Sequence, residues 1–399
     1  MLALRLARGA HPLLQLRRLL VTTASAGVGF LLLCALGHAV AHPGQSSASL
    51  LRLGWCVLPL AAAVHLAVAV ARTDPSTRPR PGLSSVGLGP ARLTLIAATS
   101  TALACALGSA LALLVYLHLR GDLTGLPFDG AAAGLLGAGQ PLPLPGALTL
   151  LAVTPVTAST LAGITLRPRR PRADPDAGAP GQDGDAESVA RDPFAPTPAP
   201  TGLPWGVTLI AVGLAVEVYG ARGADGSAAP LPGGFPGSPV PVLAGWTLTA
   251  LGLAVAGPGL AHLCGRLIQA YRPGATRLLS GRALMDESHR IGRPLGVLCA
   301  VVSAAIAAGA LYGQTISRPL GPLTGLGAGL VLACATAALL TAAIDTRQSR
   351  AGTTAALIRL GAPAGLLRTA ALLRTAVLLA VFTPLTWAVA TLAALPLRA

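Results

Sequence analysis

Read for its alternation of apolar and polar positions, the chain divides into nine apolar runs, at 21–41, 53–71, 93–119, 146–166, 205–221, 241–265, 294–315, 323–344 and 375–396. Each is close to the ~20 residues that a helix needs to cross the hydrocarbon of a bilayer. The run 93–119 is long enough to tilt, or to begin as an interfacial helix. None has the short, strictly alternating segments of a membrane barrel strand. In lipid, backbone polar groups must be bonded within their own segment. The pattern therefore predicts an all-α fold, a polytopic membrane helix bundle of about nine transmembrane helices.

The runs are also laid out twice to one plan. An arginine-bearing start (Arg5, Arg8, Arg17, Arg18) leads into 21–41, a second apolar run follows, and then a basic segment from Arg72 to Arg92 that contains Leu83, Val86 and Gly87. The same order returns 274 residues later: basic 277–293, two apolar runs, then a basic segment containing Leu357, Leu360 and Gly361. Internal repeats of membrane helices are a common construction in transporters. The layout predicts a first module at 1–166, a linker at 167–204, a central helix pair at 205–265 and a second module at 266–399. The linker starts with arginines, continues through Asp174, Asp176, Asp183, Asp185, Glu187 and Asp192, and ends rich in proline. That composition reads as a solvated, disordered cytoplasmic tether.

Composition sharpens this picture. Charged residues make up only 11% and hydrophobic ones 53%, more apolar surface than a soluble core of this size could hide. All 29 basic residues are arginine, which with the many alanines and glycines reads as the codon bias of a GC-rich bacterial genome. The net charge of +15 does not point to nucleic acid, because the arginines sit at the ends of apolar runs. With the N-terminus inside, 24 arginines fall on the inner side and five on the outer, as the positive-inside bias requires. The N-terminus is then cytoplasmic, the C-terminus extracytoplasmic, and the chain belongs in the cell membrane. Residues 39–41 resemble a small-residue cleavage site, but the long apolar run and its long basic leader favour retention.

Candidate chemistry is sparse. Without lysine, no phosphate-binding loop of the G-x-x-x-x-G-K-[ST] type can form, so ATP hydrolysis tied to this chain belongs on another polypeptide. No catalytic constellation, cofactor motif or metal spacing is present, and the six cysteines read as small buried hydrophobes. Glu217 lies near the outer end of its run beside Arg222, where snorkelling or pairing is the simpler expectation. His65 and His38 read as packing residues. Asp286, Glu287 and His289 read as a solvated helix face at the inner surface. Gly321, Gly325 and Gly329 have the spacing of a close-packing helix face.

The basic segments are the functional candidates. Leucines spaced for one helix face, a glycine break and arginines would suit a short amphipathic helix lying at the inner surface. Here the chain resembles the FtsX-like ABC transporter permeases of the macrolide-exporter and lipoprotein-releasing type. That family carries an R-x-x-E-x-x-x-L-R-x-L-G-A-like cytoplasmic segment in each module, which docks on the ATPase. Leu357, Arg359, Leu360, Gly361 and Ala362 fit the end of that pattern, followed by Leu366, Leu367 and Arg368. Leu83, Val86 and Gly87, with Arg92, fit it more weakly. The family's acidic residue is missing from both segments, and the outer loop at 42–52 is short. The resemblance implies a separate ATPase chain as partner, coupled to substrate export or extraction, with a homodimer possible. The competing classes are a non-transport membrane scaffold that uses 167–204 to hold cytoplasmic proteins, and an ion-coupled carrier. Topology is testable directly. A reporter fused after Glu187 should read cytoplasmic and one within 125–142 extracytoplasmic; an outside signal at Glu187 overturns the span assignment.

Overall fold

The computed structural model describes residues 12–73, 90–123, 129–134, 136–167, 200–222, 228–229, 238–270, 274–312 and 321–395. The linker expected at 167–204 and the candidates Leu83, Val86 and Gly87 lie outside them, apart from the linker's ends. The helices are α1 (Pro12–Ala41), α2 (Ser46–Trp55), α3 (Val57–Thr73), α4 (Pro90–Arg120), α5 (Leu144–Leu166), α6 (Gly202–Arg222), α7 (Val240–Ala270), α8 (Ala275–Tyr312), α9 (Pro322–Arg359) and α10 (Ala364–Ala394). A two-residue antiparallel pairing of Ala228–Ala229 with Ser238–Pro239 lies between α6 and α7. Among the described residues, nine helical stretches are long and apolar enough to cross a membrane, α2 and α3 forming one of them. The protein is an all-α polytopic bundle.

Two boundaries differ from expectation. The outer loop at 42–52 is largely helix α2, separated from α3 by a break at Cys56, just before Pro59, which has no N–H to continue the ladder. The segment 345–374 is not a separate surface helix. α9 runs unbroken to Arg359, and α10 begins at Ala364. Alanine, leucine and glutamine carry the helix through a stretch that is polar but still helix-favouring.

Helices α1, α3, α4 and α5 pack as one bundle, and α6, α7, α8 and α10 as another. α9 lies across α3 and α1 of the first bundle while touching α8 of the second. Ala24, Val28, Ala63, Leu66, Cys334 and Ala338 form the core of that crossing. In the first bundle, Ser25 donates to the Cys105 carbonyl at 2.9 Å and Ser109 to the Leu151 carbonyl at 3.0 Å. These bonds tie α1 and α5 to α4. At the C-terminal end of α4 the Tyr116 hydroxyl donates to the Leu136 carbonyl at 3.2 Å, and buried Arg120 donates to the Gln140 carbonyl. Both draw the following loop back over the helix ends.

The second bundle is held by glycine seams. On α6, Gly206, Gly213 and Gly220 recur every seven residues, and on α7, Gly245, Gly252 and Gly259 do the same. A Cβ on Gly206 would lie 2.7 Å from Ala256 Cα, and one on Gly252 would lie 2.7 Å from Ile210 N and 2.8 Å from the Gly206 carbonyl. The next seam sets Gly257 and Gly265 of α7 against Gly292 and Gly281 of α8. By contrast, a Cβ at Gly321, Gly325 or Gly329 would meet nothing within 4 Å. Among the described residues this stripe makes no close approach to another helix, and of the glycines of that stretch Gly327 nears Leu31, at 3.7 Å.

Substitution separates the two glycine sets. Gly252→Val forces backbone apart and should destabilise the purified protein by about 1–3 kcal/mol, read as a lowered unfolding midpoint in detergent. Gly325→Val should leave that midpoint within error.

Candidate functional site

At 1.5 Å per residue, α8 and α9 are each about 57 Å long, against a hydrocarbon layer of about 30 Å. The excess lies at the arginine-rich end. There α8 before Pro294, α9 after Ile344 and the first turns of α10 carry the charged residues of these three helices. The functional candidates of that module sit on this extension.

The join between α9 and α10 is a sharp helical stop. Gly361 adopts φ +90°. Its N–H bonds to the Ile358 carbonyl, and the Ala362 N–H bonds to the Leu357 carbonyl, both at 3.0 Å. This is the paired bonding of a Schellman cap, with glycine at its left-handed position and Pro363 directly after. The leucine–glycine layout noted in the sequence thus has a local cause: it ends one helix and starts another. What the turn presents is apolar. Leu360 is 83% exposed and Ile358 53%, with Arg359 and Arg368 exposed beside them. Leu357, Leu366 and Leu367 are half-buried, so the expected leucine face is split between two helix ends.

Behind the tip, three helices meet on one carboxylate. Glu287 of α8 is 8% exposed. One of its oxygens pairs with the Arg350 Nε of α9, and the other lies 3.6 Å from a terminal nitrogen of Arg374 on α10. Arg350 also donates to the Ala283 carbonyl of α8 at 2.6 Å. One turn along, Arg290 approaches Asp345 of α9 at 3.7 Å, but Arg290 is largely exposed, so that pair contributes little. The reading of 286–289 as a solvated face is corrected at its centre. Asp286 and His289 are exposed, whereas Glu287 points inward to arginines that lie 63 and 87 residues further along the chain. Nothing at short range in the sequence marks that pairing. The only hint is an acid placed among arginine-rich segments.

The remaining candidates are dispersed. Arg92 is exposed near the start of α4, away from the α9–α10 tip in the chain. His38 stacks on His42 with ring centroids 4.3 Å apart. The six cysteines form no disulfide. No group of three metal-ligating side chains occurs among the described residues. Glu217 does not snorkel: it is fully buried at the α6–α7 seam, where the Thr249 hydroxyl donates to one of its oxygens at 3.1 Å. The side chain of its expected partner, Arg222, lies outside the described set. No protein-family model, characterised protein or solved structure matches the chain.

The clamp can be tested by local opening. Removing Glu287 leaves two mostly buried guanidinium groups unpaired, a loss of about 3 kcal/mol. Glu287→Ala should therefore speed amide exchange around 371–376 roughly a hundredfold, while Arg359→Ala should not. Equal exchange in both would mean that helix packing alone holds α10.

Proposed function

We propose that the chain is the membrane-spanning permease subunit of an ABC transporter of the FtsX-like type, coupled to a separate ATPase that docks on the α9–α10 tip. The observation that carries this reading is the exposed Ile358 and Leu360 on a helical hairpin whose two arms are both anchored to Glu287. An apolar knob on a braced lever suits reception in a groove of a partner. It sits at the arginine-rich end, which the positive-inside bias assigns to the cytoplasm, where ATP is. The bundle connectivity supports the two-module reading. α1 packs on α4 as α8 packs on α10, and the second spans of the modules, α3 and α9, pack on each other. The absence of a P-loop lysine from the sequence is in keeping with hydrolysis by a partner.

Two measurements test this. The purified chain alone should turn over no ATP; intrinsic hydrolysis, free of contaminating ATPase, would falsify the subunit assignment. Leu360→Asp should reduce the ATPase recovered per inserted permease about tenfold or more, since a carboxylate buried in an apolar groove without a partner is costly. Arg359→Ala should reduce it far less. Equal recovery across wild type and both variants would reduce the tip to a helix connector.

A further inference from the structure

The acidic residue buried deepest in the second bundle takes no part in the coupling surface. Glu217 lies on α6 about 22 Å along the helix from Gly202 and about 8 Å before Arg222, inside a stretch apolar enough to span the membrane. Its exposure is 0%. Thr249 of α7 supplies one hydrogen bond to Oε1, and Oε2 has no partner among the described residues. Space for the side chain exists because α7 has no Cβ at Gly245: one built there would collide with Glu217 Cγ. Helices α7 and α10 pack on α6, and neither sets a charge against Glu217. α7 gives Thr249 and Gly245, and α10 gives Ala393 and Ala394 near Leu214 and Trp246. Among the described side chains, Thr249 is the polar one bonded to it.

An isolated carboxylate with one neutral donor in hydrocarbon is far from electrostatically balanced. Arginine partners stabilise Glu287 as an anion, but among the described side chains no guanidinium reaches Glu217. The seam limits which cation could balance it. A metal cation needs several oxygen ligands around it. Here a single Cβ at Gly213 would already lie 2.7 Å from Thr249 N and 2.8 Å from the Gly245 carbonyl. A proton requires no such volume.

We infer that Glu217 is an intramembrane proton-binding site, holding a proton on Oε2 while α6 and α7 are closed on each other. Oε1 then remains the carbonyl oxygen that accepts from Thr249. The proton comes from water and returns to it only when the seam parts, so no other reactant is needed. This inference is independent of the ATPase-docking reading, because it concerns a seam that the α9–α10 tip does not touch.

Infrared spectroscopy of the full chain in lipid vesicles at neutral pH tests it. The wild type should show a carbonyl-stretching band of an un-ionised carboxylic acid that Glu217→Gln loses. Thr249→Val should keep that band and shift it to higher frequency, since its carbonyl loses a hydrogen bond. If Glu217→Gln removes a carboxylate band and no acid band, Glu217 is ionised and the inference fails. If Glu217→Gln does not insert, the Thr249→Val shift decides alone. An acid band at an unchanged frequency assigns that band to another carboxyl and overturns the proposal.

Discussion

In hydrocarbon, apolar side chains gain nothing by leaving lipid for one another, so helices are held by close van der Waals approach and by the few polar contacts between them. That constraint governs the second bundle. Where α6 meets α7 and α7 meets α8, the contact is backbone on backbone: glycines recur every seven residues on the facing sides of α6 and α7, and Gly257 and Gly265 of α7 face Gly292 and Gly281 of α8. A Cβ at most of these positions would strike main-chain atoms, which cannot yield as a flexible side chain can. The same spacing sets where a polar group can enter. Glu217 occupies the space left by Gly245, so the acid and the glycine are one structural feature viewed from two helices.

The first bundle uses a different mixture. Alanine and cysteine fill its core, and serine hydroxyls reach carbonyls on neighbouring helices. α9 joins this bundle although it belongs to the second module in sequence. It scarcely meets α10, the helix that follows it, and the two are bridged through α8. A buried ion pair is a poor source of net stability, but breaking one partner from it is strongly unfavourable. Glu287 with Arg350 and Arg374 therefore acts as a registration contact. It fixes two otherwise separate helices relative to α8 without requiring them to pack on each other.

How much of this was legible in the sequence depends on range. The spans were, because composition over about 20 residues decides membrane insertion and needs no knowledge of neighbours. The stop at Gly361 was legible as a break, since glycine after a leucine-rich helical stretch followed by proline is a local signal. Its meaning was not: a surface-lying helix and the end of a long projecting helix share that signal. Gly321, Gly325 and Gly329 show the limit of motif reading. The spacing is right for close packing, yet no described residue lies within 4 Å of a Cβ there, whereas the seven-residue glycine series that do pack do not stand out among 48 glycines. The burial of Glu287 and Glu217 is hidden from the sequence for the same reason. Burial is set by partners on other helices, and the partners of Glu287 lie on α9 and α10.

These two acids show how one side-chain type takes opposite roles at different depths. Glu287 sits on the part of α8 that extends past the apolar span, within reach of two guanidinium groups from two other helices. There a carboxylate is the better partner, and its two oxygens let it hold both helices at once. Glu217 sits against Gly245 and Thr249 of α7, and among the described side chains no such group reaches it. Exchanging the environments would fail in both directions: a neutral acid at 287 would leave two arginines facing each other, and an arginine-paired carboxylate at 217 would need volume that the glycine seam excludes. Among its described residues, the second module's helices α8 to α10 thus keep their ion pairs on the helical extension, where one helix can be registered against another. The membrane-embedded seam is left to close-packed backbone and a single acid.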